Sequence, residues 1–389
     1  MGKGCSRVTF AQITDFVCES ILVQEGGASN DLTTRWIPVQ GNQPDQLSYL
    51  TNPPEIRGGR VEEVNKVFMG TTSLDKGKHD NLINQSCFSP GNQKIYSLES
   101  MADWIGVYSQ KTKLEQKIRP SAFKVKKDAA VLSIAFSERE ERLGAILKDY
   151  SISFWDTCDG YSFEKSIPTS RYCQELHSNI WYLEFFQLWV TADPTGTLYL
   201  WNLGEEAPER TLKCRHQSKV NDICEIPSIG VVAVGQEQKG ASSEPTRIQL
   251  MSLRRGEVMA EIDTKMERRV LHTIRYSEEY QVLLSAGYEK KISLFEIDTD
   301  HLDSSLRGQL LGHESAITCF TLIRRSPMVA SADDKGKVKI WNIRNFKCMQ
   351  TIDFTDKVNI TCLLDMANCR KIGVVGSRVS VLEIEGTFE

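Results

Sequence analysis

The chain has 389 residues, a formal net charge of -4 and 25% charged residues spread along its length, so no basic stripe argues for nucleic acid. Its eleven cysteines include no CxxC pair, which fits neither a zinc site nor a small secreted disulfide scaffold and points to a reducing, cytoplasmic setting. Apolar runs are short and broken by charge, so no segment is expected to span a bilayer, and the first thirty residues lack the hydrophobic stretch of a secretory signal.

In chain order, the opening MGKGCS fits the M-G-x-x-x-[ST] acylation pattern at Gly2 and Ser6, with Cys5 as a second acylation point. A single acyl chain gives only marginal membrane binding, and the same residues also read as an ordinary N-terminus, which is the reading carried forward. Residues 1–24 predict an amphipathic helix, because Phe10, Ile13, Phe16, Val17 and Ile21 share one helical face. Thr9 is its N-cap, Gln12 completes a capping box, and Val8 against Ile13 makes the staple. The segment also resembles the second half of an EF-hand, with Val8 and Gln12 at the eighth and twelfth loop places. Gln12 offers no bidentate carboxylate, Lys3 falls at a ligand position and Ser6 replaces the turn glycine, so calcium is not expected. Plain helix and degenerate half EF-hand both stay open. Residues 25–59, with PVQGNQPDQ and TNPPEIRGG, read as an extended connector.

From residue 60 onward the pattern changes to repetition. VTADPTGTLYLWNL (residues 190–203) returns as VASADDKGKVKIWNI (residues 329–343), with Asp193 and Asp333 each eight residues ahead of Trp201 and Trp341. Alternating segments of the same kind close on Tyr108, Trp155, Trp201, Met251, Phe295, Trp341 and Leu382, at spacings of 47, 46, 50, 44, 46 and 41. The longest spacing holds a polar insertion, GQEQKGASSEP (residues 235–245). Each unit reads as four short strands separated by turn signals, so the expected class is all-β and the expected architecture is a ring of seven blades.

These units resemble WD-repeat β-propellers. Trp155-Asp156 is the literal pair, Trp201-Asn202 and Trp341-Asn342 are common variants, and Gly312-His313 is the opening dipeptide, with His177 and His216 aligned to it. The resemblance covers roughly residues 82–389. It implies a single seven-bladed propeller over residues 60–389, both faces of each third strand being buried: Leu198 and Leu200 fill one side and Trp201 the other. It further implies structural networks of His313, Asp333 and Trp341 and of His177, Asp193 and Trp201, with Asp149 and Trp155 in an earlier unit. His313 with Asp333 and Ser331 also has the composition of a nucleophilic triad. Its recurrence as His177, Thr191 and Asp193 argues for a device repeated per blade, so no catalytic, metal or cofactor-binding residue is expected. The last unit stops after its third strand. An upstream segment should complete it, with Arg60 to Gly70 better placed than Leu32 to Gln40; an open edge would invite aggregation.

Segment order also resembles the EF-hand-containing WD-repeat proteins associated with cilia and flagella, which implies an axonemal setting. The functional expectation is a non-catalytic scaffold with other proteins as partners. The alternative is a peptide or modification reader, using a mildly basic face built from Lys127, Lys219, Arg268, Arg269 and Lys357 in loops ahead of the first strands.

Overall fold

The computed structural model describes residues 20–24, 34–38, 67–70, 82–100, 102–120, 130–237, 246–266, 271–298, 301–354, 359–366 and 371–384. The chain divides into two compact units, residues 1–60 and 61–389.

In the first unit Ser20–Gln24 (SILVQ) pairs antiparallel with Thr34–Pro38 (TRWIP), Ile21 opposite Ile37 and Leu22 opposite Trp36. This corrects the helix at its C-terminal end, since Ile21 belongs to a strand and not to a helical face. The reason is legible in hindsight: two β-prone apolar runs flank EGGASN, a hairpin arrangement. It also corrects the connector, because residues 34–38 form a strand within 25–59. The remaining residues of the helix and half EF-hand readings, Gly2 and Cys5 among them, lie outside the described residues.

The second unit is a seven-bladed propeller. Blade 1 spans residues 83–118, blade 2 131–168, blade 3 179–213, blade 4 220–263, blade 5 271–311 and blade 6 317–353; each is a four-stranded antiparallel meander. Blade 7 takes three strands from residues 360–384 and its outermost from Val67–Gly70, which pairs with Val381 to Ile384. The closing strand therefore comes from the Arg60 to Gly70 segment, while Thr34–Pro38 is paired elsewhere. First strands are innermost and touch around the ring, the seventh meeting the first.

Seven hydrophobic clusters lie among the described residues, one at each junction between neighbouring blades. The residues that close the sequence units occupy equivalent places. Trp341 packs with the core of blade 5, Phe295 with that of blade 4, Trp201 with that of blade 2, and Tyr108 with that of blade 7. Each closing residue thus faces the preceding blade, while its neighbours in the strand face the following one, as Leu198 and Leu200 do. In five blades a bulge falls immediately before the closing residue, as at Phe154/Trp155 and Ile340/Trp341. An extra residue there increases local twist and bends the outer strand away from the axis.

Because strands alternate in direction, loops ahead of first strands share one face with turns between second and third strands; this is called the entry face below. Gly196 and Gly336 shape two of those turns at φ +84° and +80°, and a Cβ on Gly196 would sit 2.6 Å from the Ser218 carbonyl.

Candidate functional site

In blade 6 the expected network exists and gains a fourth member. Trp341 Nε1 donates to Ser331 Oγ at 2.8 Å, Ser331 Oγ lies 2.6 Å from His313 Nε2, and His313 Nδ1 lies 3.0 Å from Asp333 Oδ2. The donor count fixes the protons: with Ser331 accepting from the indole, its own hydrogen goes to Nε2, leaving Nδ1–H for Asp333. The other carboxylate oxygen accepts from Lys335 and Lys337 amides at 3.1 and 2.9 Å, holding the tight turn. Burial pushes the His313 pKa below its ordinary value despite Asp333, keeping the ring neutral. Ser331, Asp333 and Trp341 are 0% exposed. A nucleophile that no substrate can reach, already hydrogen-bonded to an indole, is a structural element.

Blade 3 carries the same residue types in a different arrangement. Trp201 Nε1 donates to Thr191 Oγ1 at 2.8 Å, and Asp193 Oδ1 accepts from the Thr195 and Thr197 amides at 2.8 and 3.0 Å. Asp193 Oδ2, the equivalent of the atom that meets His313 in blade 6, instead accepts from the Tyr199 hydroxyl at 3.3 Å. His177 stacks on the Tyr199 ring, centroids 4.7 Å apart, and neither ring nitrogen has a hydrogen-bond partner among the described residues. The expected bond from His177 to Asp193 is therefore absent among the described residues, and Asp193 Oδ2 faces the Tyr199 hydroxyl and, at 3.8 Å, the Cys173 thiol. Burial pushes the His177 pKa down to about 4. For Asp193, burial alone would raise the pKa, but bonds from Thr195 and Thr197 bring it below its ordinary value.

Two further expectations are corrected. The His216 ring reaches the surface, 3.7 Å from Glu261, while its backbone carbonyl accepts from Gln236 Nε2 at 2.9 Å. Gln236 occupies the place of the turn aspartate and pairs with Gln249 at 3.0 Å, so blade 4 satisfies its interior with amides. Among the described residues Asp149 binds its own turn, accepting from the Ser151 amide and hydroxyl at 3.1 and 2.6 Å. Trp155 Nε1 is buried without a partner among the described residues, since the positions ten and eight residues before it are Ala145 and Leu147. His272, in the first strand of blade 5, is half-buried with its ring edge-on to Tyr288 at 4.0 Å.

Of the basic-face residues, Lys127, Arg268, Arg269 and Lys357 lie outside the described residues, and Lys219 is half-buried just before the first strand of blade 4. The entry face also exposes Tyr150, Tyr172 and Tyr288 in its loops and turns. Facing the axis, Arg275 of blade 5 meets Asp222 of blade 4 at 2.6 Å, and Asp222 also accepts from the Ile274 amide and from Trp181 Nε1. One carboxylate thereby ties three blades. Burial pushes the Cys87, Cys224 and Cys319 thiols far up, leaving them protonated.

The opposite face contains staples that sequence reading missed. Glu184 of blade 3 accepts from the Glu138 amide of blade 2 at 2.6 Å. Glu225 of blade 4 accepts from the Phe185 and Phe186 amides of blade 3 at 2.9 and 3.2 Å. Asp365 of blade 7 accepts from the Arg324 amide of blade 6 at 3.3 Å. Burial raises the pKa of all three carboxyls. Among the described residues no group of three or more His, Cys, Asp or Glu could hold a metal ion, and no helix is long and apolar enough to cross a membrane.

A closed ring of seven four-stranded blades defines a seven-bladed β-propeller, and its blade 6, with the histidine–aspartate–hydroxyl–tryptophan network, is similar to a WD40 repeat. The model of the family "WD domain, G-beta repeat" matches residues 304–342, the segment containing His313, Ser331, Asp333 and Trp341. The chain is 31% identical over 85 residues to the Dictyostelium discoideum tRNA (guanine-N(7)-)-methyltransferase non-catalytic subunit wdr4, covering 22% of this chain and 18% of that protein. It is 29% identical over 90 residues to the Homo sapiens THO complex subunit 6, covering 23% of this chain and 25% of that protein. These matches span about a quarter or less of the relatives' lengths. Among solved structures, the β-propeller domain of Cps50 (Swd1) from Myceliophteria thermophila superposes with a TM-score of 0.63 at 12% identity, over 82% of this chain and 99% of that one. At that identity the likeness is one of fold. None of these matches carries an EF-hand or ciliary designation.

Proposed function

We propose that this chain is a non-catalytic interaction scaffold whose partners are other proteins. The observation that carries this reading is the fate of the chemically capable side chains. Among the described residues, the one complete His–Asp–Ser constellation is sealed in a blade core, and the buried thiols are held protonated. What remains accessible is a rigid ring with two broad faces and a rim. Relatives named as subunits of multiprotein complexes, one of them expressly non-catalytic, agree with this reading without identifying a partner. Cytoplasm is the proposed compartment, and an axonemal assembly is the setting that segment order suggests.

The test is cross-linking mass spectrometry on the tagged full chain, with fractionation of ciliated cells into soluble and axonemal pools. Cross-links to several proteins distributed over both faces support the scaffold. A tight small-molecule ligand in a thermal-shift screen would count against it, since a ligand at 100 times its Kd stabilises a fold by about 2.7 kcal/mol. A second reading, a reader of acidic peptides, is favoured by the exposed tyrosines and Lys219 on the entry face. It requires cross-links confined to that face.

A further inference from the structure

Away from the entry face, the rim between blades 4 and 5 holds a groove of about 440 Å³. Its lining is mixed: Ile229 from the short turn Pro227–Ile229, Val231, Met259 of the strand Glu257–Asp263 and Leu302 of the blade 5 turn are apolar, and Ser228 and Ser252 add hydroxyls beside Arg255. Ile229 and Met259 are only partly buried against the core between blades 4 and 5. The walls are fixed by backbone geometry: Gly230 closes its turn at φ +65°, and the Leu302 amide donates to the Asp298 carbonyl at 2.9 Å.

The turn at the mouth carries Arg254 and Arg255, both exposed, with Arg255 in the groove wall. Arg210 Nη1 holds this turn by donating to the Leu253 carbonyl at 3.0 Å and to that of Arg254. Other arginines of blades 4 and 5 are neutralised: Arg247 by Glu261 at 2.8 Å and Arg307 by Glu296 at 3.4 Å. Among the described residues, neither Arg254 nor Arg255 has a carboxylate partner.

We propose that this groove docks a short acidic segment of a partner protein, one apolar side chain seated against Ile229, Val231 and Met259 and a flanking carboxylate held by Arg254 or Arg255. The charge argues for the sign of the ligand. Two adjacent guanidiniums without counter-charge present forked donors that match a carboxylate. The partly exposed methionine and isoleucine argue for an apolar anchor beside it, and the volume accommodates one large aliphatic or aromatic side chain with its backbone. This inference rests on the scaffold reading and adds a site and a ligand chemistry to it.

The experiment titrates the full chain into a fluorescent peptide with a central Leu flanked by Glu and Asp, read by anisotropy. Two control peptides carry Ala at the centre or Lys in the flanks. Saturable binding is expected, weakened about tenfold or more by the Ala centre, by Met259→Trp and by the double variant R254E/R255E. The double variant should instead bind the Lys-flanked peptide. Thermal melting confirms that the variants are folded, and R254E/R255E alters only exposed side chains. No saturable binding, equal binding by wild type and double variant, or equal binding of the acidic and Lys-flanked peptides by the wild type would each overturn the proposal. So would a homodimer dissolved by R254E/R255E, which would assign the groove to a second copy. Failure here, with cross-linked partners found on the propeller faces, leaves the scaffold reading standing; absence of any cross-linked partner sinks that reading independently of the peptide result.

Discussion

Blades 3 and 6 begin from nearly the same sentence, with Asp and Trp at matched spacing and a histidine upstream, and fold to the same four strands. Their interiors are wired differently. In blade 6 the imidazole bridges Ser331 and Asp333; in blade 3 it is stacked on an aromatic ring, with neither nitrogen paired among the described residues. One position accounts for the difference. Two residues before the closing tryptophan, blade 6 has Lys339, whose amine reaches outward to Thr351, and blade 3 has Tyr199, whose hydroxyl takes the aspartate oxygen. Spacing alone does not specify a polar network when a neighbour can compete for the same acceptor.

The largest expected effect leaves the two blades alike. Trp341→Ala and Trp201→Ala should each cost about 3 to 5 kcal/mol, measured by chemical denaturation, because both indoles are fully buried between blades. The next prediction separates the blades by pH. His177 stays neutral in the folded chain down to about pH 4, whereas the unfolded chain takes up that proton near pH 6.5. Stability is therefore fully present above about pH 6.5 and falls by about 3 kcal/mol as pH drops toward 4, in the direction of greater proton binding by the unfolded state. His177→Phe should reduce that slope and leave the part due to His313 and His272, whose pKa values burial also lowers. Asp333→Ala should cost about 3 kcal/mol at neutral pH by stranding His313 and two turn amides, with little dependence on His177.

Smaller effects sharpen the cause. Tyr199→Phe releases Asp193 Oδ2, so His177 can turn to it; the net change should stay within about 1 kcal/mol, and the acid slope should flatten. An unchanged slope would mean that Tyr199 does not displace the histidine. Smallest of all, Ser285→Ala in blade 5 should be neutral or slightly stabilising, because its buried hydroxyl has no partner among the described residues where Phe295 replaces tryptophan.

How much of this was legible in the sequence depends on the range of the interaction. Blade number, closing residues and the identity of the closing strand follow from a repeat period and from a missing fourth strand, both local patterns. The carboxylate staples were not legible. Glu184 serves an amide 46 residues earlier and Glu225 one 40 residues earlier, and an acidic residue in a turn or near a strand end signals a solvated surface until the neighbouring blade is in place. His216 was misread for a related reason: alignment gave it the histidine position, but Gln236 and Gln249 had already satisfied that interior. At the N-terminus, helical periodicity through Ile21 competed with a hairpin signal spanning residues 20–38, and pairing with a second strand prevailed.

The most direct test is the NMR titration of the histidine rings in a nitrogen-labelled sample, tractable because the chain has only six histidines. The account predicts that His313 is a neutral ring protonated on Nδ1 and bonded to Asp333, while His177 shows no such bond and gains its proton only near pH 4. Matching tautomers and matching titrations, with both rings bonded to their aspartates, would contradict it and restore one network common to both blades.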